Sequence, residues 1–349
     1  MGKIFNNIRS DIARERFKFI FYEVFIIFIF IFLISLIEWV ILPLLVTKSS
    51  YIFSLLFYLI RSIVILSIIV LVLFVKSKIK KQNLESKEIN LYKAQLKLYE
   101  ISRKNFKYQL LYGLLLLFLI LIPLDFIIII TFPNIINYKT ISMIISIQNS
   151  YLSINNLSLF ILISSIVQFS IVFSEETVFR GLITKRGSEK FNKMSAVTIS
   201  ALYYAFYEMF IIQISGDYYS MVIWFIRSLI IGLVFSLTLL RKKWLFPFIF
   251  AGTINNIMFN IIIWNSLKGF NIFFPILVIY CPLMLISLVF LITQLSRIKE
   301  SLQIGRDLLR SYYRRDPLLK ERSGDRIFRI IFDFLFGFLL FIIGVLISA

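Results

Sequence analysis

Apolar residues run along this chain in long blocks, broken by short polar or basic stretches. The blocks fall at 22–41, 52–75, 108–132, 157–173, 196–214, 221–240, 245–264, 273–295 and 328–348. A helix of about 20 apolar residues crosses a bilayer. The pattern therefore predicts an all-α polytopic membrane protein of about nine transmembrane helices. Asn255 and Asn256 interrupt the seventh block. The first block is too long for a cleavable signal peptide, and no small-residue cleavage site follows it. No internal repeat is evident, which weighs against an inverted-repeat transporter.

Two polar stretches also have helical periodicity. In 76–107, Leu84, Leu91, Leu98 and Phe106 recur at near-helical spacing. In 297–326, Ile298, Leu302, Leu309 and Tyr312 stand among charges until Pro317 ends the pattern. Such segments read as amphipathic helices on anionic lipid, or as docking surfaces for a cytoplasmic partner.

Charge orients the blocks. Segments 76–107 and 297–329 each hold ten basic residues. Basic residues also cluster at the amino terminus, at 180–193 and at 241–243. The alternate loops hold only Lys48, Lys139, no basic residue around Asp217, and Lys268. The positive-inside rule puts the amino terminus in the cytoplasm and the carboxyl terminus outside. Hydrophobic residues make up 59% of the chain and the net charge is +19. With no compact basic domain apart from the spans, that charge points to lipid and excludes nucleic acid as the expected partner. The Ile, Phe, Lys and Asn excess points to an AT-rich bacterial genome, hence to a bacterial cytoplasmic membrane. There is no histidine, and Cys281 is the single cysteine. Neither an intramolecular disulfide nor a Cys-based zinc site can be built. No cofactor and no metal is expected.

Ionisable residues inside membrane spans are functional-site hypotheses by default. Glu23, Glu38, Arg61, Asp125, Arg227 and Asp333 are expected to pair across helices. Arg61 fits Glu38 by depth, while Glu23 and Asp333 are expected to snorkel or to meet Arg329-type neighbours. Asn255 and Asn256 read as interhelical hydrogen-bonding residues. The most informative group is Glu175-Glu176-Thr177-Val178-Phe179-Arg180. On a helix Glu176 and Arg180 share a face in the favourable acid-before-base order. Glu175 is turned by about 100° from Glu176, free for other work.

Glu-Glu-x-x-x-Arg at the end of a span, followed by Gly181, resembles the first motif of the CPBP family, the CAAX proteases and bacteriocin-processing enzymes also called Abi. The second family motif is Phe-x-x-x-His; here Tyr204 falls at the Phe position and Glu208 at the His position. The third is His-x-x-x-Asn or Asp; here Gly252 falls at the His position and Asn256 at the Asn position. The resemblance implies three regions: 1–156, an amino-terminal membrane region with the basic helix 76–107; 157–264, a CPBP-like core; and 265–349, carboxyl-terminal spans with the basic segment 297–329. It implies a candidate site of Glu175, Glu176, Arg180, Glu208 and Asn256. In the family the first Glu is thought to activate water with the second-motif His, and the third-motif residues to stabilise an oxyanion; in another account the histidines hold a metal. Both histidines are missing here, and loss of one oxyanion donor alone costs about 100- to 1000-fold in rate. A Glu175–Glu208 pair sharing a proton offers a histidine-free route to activated water.

Three readings follow. The first is a proteolytically impaired CPBP-like protein acting as a membrane regulatory, immunity or scaffold protein through a membrane protein or peptide partner. The second is an active intramembrane endopeptidase with a histidine-free Glu175/Glu208 site. The third is a permease component. Because Glu175 is taken to end an inward-going span, its site is expected to open toward the cytoplasmic leaflet.

Overall fold

The structure, a computed structural model, describes residues 2–19, 21, 24, 42–48, 50–81, 99–145, 147–213, 218–271, 273–314 and 323–348. Its principal helices are α1 Gly2–Phe19, α2 Tyr51–Lys81, α3 Phe106–Thr131, α4 Asn134–Ile145 and α5 Leu157–Arg186. They continue as α6 Lys193–Gln213, α7 Tyr218–Lys242, α8 Phe246–Leu267, α9 Phe273–Thr293, α10 Leu295–Tyr313 and α11 Ser323–Ser348. The fold is an all-helical membrane bundle.

Among the described residues six helices are long and apolar enough to span: α3, α5, α7, α8, α9 and α11. Helices α2 and α6 occupy the second and fifth predicted blocks. The first block, 22–41, lies outside the described residues apart from Val24, and so do Glu23 and Glu38. Most of the predicted 76–107 helix and Pro317 lie outside them too.

The sequence sets the helix ends locally. The Asn156 side chain accepts a hydrogen bond from the Leu159 amide at 3.0 Å and so caps the start of α5. Asn192 accepts from the Met194 amide at 2.9 Å at the start of α6. Pro247 stands in the first turn of α8, where its missing N–H leaves nothing unsatisfied.

Helix α5 is central and packs against α2, α6, α7 and α8. The closest helix pair is α6 with α7, where Gly232 lets the backbones meet. A Cβ there would stand 2.9 Å from Ala201 Cα. Small residues at such contacts are how helices associate in lipid, where hydrophobic burial offers little advantage. Helix α11 packs on α6, α1 on α11, and α9 on α3. Leu277, Leu285, Val289 and Ile292 of α9 point outward, as lipid-facing residues should.

One polar cluster ties α1, α6, α10 and α11 together. Arg16 donates to Asp333 Oδ1 at 2.7 Å, to Ser195 Oγ at 3.1 Å and to the Ile12 carbonyl at 3.2 Å. The Tyr312 hydroxyl donates to Asp333 Oδ2 at 2.9 Å. Arg329 donates to the Tyr312 carbonyl at 3.0 Å. Asp333 therefore neither snorkels nor takes Arg329 as its main partner. Arg16, read from the sequence only as an orienting loop charge, reaches into the bundle instead.

Candidate functional site

Helix α5 carries the first motif in a distorted stretch. The hydroxyls of Ser170, Ser174 and Thr177 donate to the carbonyls of Ile166, Ser170 and Phe173, each four residues back. Such back-bonding competes with the helical ladder and bends it. After Glu176 the helix widens into π turns from Thr177 to Arg186, a geometry that gathers at functional sites. The Phe179 carbonyl accepts from Ser200 Oγ on α6 at 2.7 Å. That bond pins α6 to the widened stretch two turns before Glu208.

Helix α5 does not stop at Glu175. The helix runs on to Arg186, so roughly 15 Å of helix lies beyond Glu175 at about 1.5 Å per residue. The apolar run stops at Phe173, but the helix continues through a polar stretch that its neighbours bury.

Glu176 and Arg180 form the predicted pair, with Nε 3.3 Å from Oε2. Arg180 is fully buried, and its guanidinium carbon lies 4.2 Å from the Tyr204 ring centroid. Among the described residues none of its three nitrogens makes a hydrogen bond, and neither does Glu176 Oε2. On α6, Glu208 Oε2 accepts from Trp224 Nε1 at 3.0 Å. Its other oxygen has no hydrogen-bond partner among the described residues.

Asp125 on α3 and Arg227 on α7 pair through two contacts of 2.5 and 3.0 Å. Asn255 Nδ2 donates to Asp125 Oδ2 at 2.7 Å. Asp125 thus accepts from Arg227 and Asn255, a contact that joins three spans and holds the wall of the site in place.

A cavity of about 50 Å³ lies between these elements. Glu175, Glu176, Glu208, Tyr204 and Asn256 line it, together with Lys139 and Arg227. Water needs roughly 10–15 Å³ of such space per molecule, so a few waters fit and a larger group requires the helices to part. Of the candidate site residues, Glu175, Glu176, Glu208 and Asn256 share this cavity, and Arg180 stands behind Glu176. Gly252 also borders it. A Cβ on Gly252 would lie 2.9 Å from Val172 Cγ1, so α5 fills the space where the third-motif histidine would start.

Two residues of the site escaped the sequence reading. Lys139, taken as a lone loop charge, sits on α4, which folds against α6 and α8 and buries Ile135, Ile136 and Thr140. Its ammonium lies 3.9 Å from the Trp224 ring centroid and 4.7 Å from that of Phe259. Burial lowers its pKa from the usual lysine range to about 8, against the raising pull of Glu208. Trp224 is the second, linking Lys139 on its ring to Glu208 on its N–H. The available signal was the apolar helical pattern of 135–143, which argued against an exposed loop. At the other side of α5, the Tyr99 hydroxyl is 3.0 Å from Thr177 Oγ1. Burial pushes that phenol up to about 12.

Residues 155–258 match the family model of Rce1-like proteins, described as type II CAAX prenyl endopeptidase Rce1-like. This segment is Rce1-like. The match covers less than a third of the 349 residues. It takes in Glu175, Arg180, Glu208, Gly252 and Asn256, and leaves out Asp125 and Lys139. No curated protein and no solved structure matches the chain. Zinc sites draw on His, Cys and carboxylate ligands, and this site offers carboxylates with no His or Cys. Among the described residues no group of three or more His, Cys, Asp or Glu is placed to hold a metal.

Proposed function

We propose that this protein uses its Rce1-like core to bind a membrane protein or peptide without efficient hydrolysis, as a regulatory, immunity or scaffold protein of a bacterial cytoplasmic membrane. The supporting observation is the packing of Gly252 on Val172, with a Cβ contact of 2.9 Å. Peptide hydrolysis needs donors preorganised around the developing oxyanion. Here one donor position has neither a side chain nor room for one, and Glu208 replaces the base partner. The amino terminus faces the cytoplasm and the carboxyl terminus the outside in this reading. The basic segments 76–107 and 297–329 lie on anionic lipid. In support, Leu302 and Leu309 of α10 are exposed beside Arg306 and Arg310.

A second reading, the histidine-free endopeptidase, is favoured by one observation: Glu175 and Glu208 line one water-sized cavity. In that scheme Glu175 takes a proton from water as it attacks, and Asn256 donates to the oxyanion.

Deletion strains rescued at matched membrane levels with wild type or Glu175→Gln separate the two readings. Peptides released from the membrane proteome are the readout. The binding reading expects no product that depends on Glu175. Products restored by wild type and lost with Glu175→Gln establish the endopeptidase.

A further inference from the structure

Charge around the cavity does not balance residue by residue. Asp125 is matched by Arg227, and Glu176 by Arg180. Glu175 and Glu208 remain, with Lys139 on the cavity wall and Arg61 acting on Glu175 from outside it. Lys139 makes no ion pair within 4.0 Å among the described residues. Its ammonium rests on the ring of Trp224 at 3.9 Å, while the N–H of that ring holds Glu208 at 3.0 Å. The Arg227 guanidinium carbon lies 4.3 Å from the centroid of the same ring. A desolvated cation on an indole face is held by the ring quadrupole. A flexible lysine stem lets the head move from ring to carboxylate when a ligand enters.

We propose that Lys139 is a positioning residue of this site: through Trp224 it supplies Glu208 with the positive charge that a histidine would otherwise bring to the cavity. The lysine comes from α4, outside the Rce1-like segment, so the replacement reaches the site from a different helix. The inference rests on the reading that this cavity is the functional site. It does not depend on whether bound peptide is hydrolysed.

The groups facing Lys139 are Glu208 and Tyr204 on α6, Arg227 on α7, Asp125 on α3 and Glu175 on α5. From α8 it meets Phe259, with Asn255 and Asn256 on the same wall. Its pKa near 8 leaves it mostly protonated at neutral pH, as a charge-supplying role requires.

The test is the titration of Lys139 itself in the full-length protein in lipid nanodiscs. Carbon-labelled lysine is followed by NMR, and the Lys139 signal is assigned by its loss in Lys139→Arg. The expected midpoint is near 8 in wild type. Glu208→Gln should lower it by about one unit or more, as loss of an opposite charge does. Glu175→Gln should lower it less. Trp224→Phe, which keeps a ring but loses the N–H, should weaken the effect of Glu208→Gln. A Lys139 signal titrating as free lysine, or one indifferent to Glu208→Gln, overturns the proposal. Assigned signals outside the site confirm that each variant is folded. Absence of proteolysis in the rescue experiment leaves this readout untouched, so the two inferences fail separately.

Discussion

Two buried arginines in this bundle meet opposite fates. Arg16 uses all three guanidinium nitrogens, and both oxygens of its partner Asp333 are occupied. Arg180 is buried as deeply, yet among the described residues none of its nitrogens makes a hydrogen bond and its contact with Glu176 is 3.3 Å. A buried ion pair stabilises only where its remaining donors and acceptors are satisfied. The Arg16–Asp333 pair meets that condition and, with Ser195 and Tyr312, fastens α1, α6, α10 and α11. The Glu176–Arg180 pair does not, and it borders a cavity with unpartnered carboxylate oxygens.

The largest expected effect lies in the fastener. Asp333→Ala strands Arg16 and should cost about 3–5 kcal/mol, as breaking a buried pair does. Thermal unfolding in detergent checks it, and near-wild-type stability would remove the distinction between the clusters.

Gly252→His comes next. It restores a motif residue but forces an atom against Val172, an overpacking cost of about 1–3 kcal/mol. Val172→Ala in the same chain should recover most of the loss, and failure to do so means the Gly252 contact is not the obstacle.

Trp224→Phe should cost about 1–2 kcal/mol by leaving Glu208 without its donor. Glu208→Gln in that background should relieve the loss, as a double-mutant cycle by thermal unfolding would show.

The last prediction is a pH dependence. Lys139 has its folded pKa lowered to about 8, and free lysine titrates at about 10.4. Between those values the unfolded chain binds the proton that the folded chain has released, so this group makes stability rise with pH across the window. Below about 8 both states hold the proton and its contribution is flat. Lys139→Met should abolish that slope in unfolding midpoints measured from pH 7 to pH 10.

Much of this comparison was legible beforehand, for physical reasons. Hydrophobic blocks report helices directly, because lipid tolerates no unsatisfied backbone. The i, i+4 spacing of Glu176 and Arg180 makes their contact a property of the helix itself. Asp125 and Arg227 were marked as pairing residues by the cost of isolated charge in a span, although nothing in the sequence said they would choose each other. Arg16 and Lys139 were hidden by one assumption, that basic residues outside apolar blocks face water. Helices α1 and α4 both fold back onto the bundle, and that is a tertiary decision. The extension of α5 past Phe173 was hidden too. Polarity marks the end of an apolar block and not the end of a helix that its neighbours cover.

The central proposal is that the cavity of this Rce1-like segment binds a membrane protein or peptide without efficient hydrolysis. The most direct test incubates the purified full-length protein in nanodiscs with membrane peptides in heavy-oxygen water, and reads label in newly formed carboxyl termini by mass spectrometry. The account predicts no labelled terminus that distinguishes wild type from Glu175→Gln. Labelled termini formed by wild type and absent with Glu175→Gln would contradict it and make the two glutamates a working hydrolytic pair.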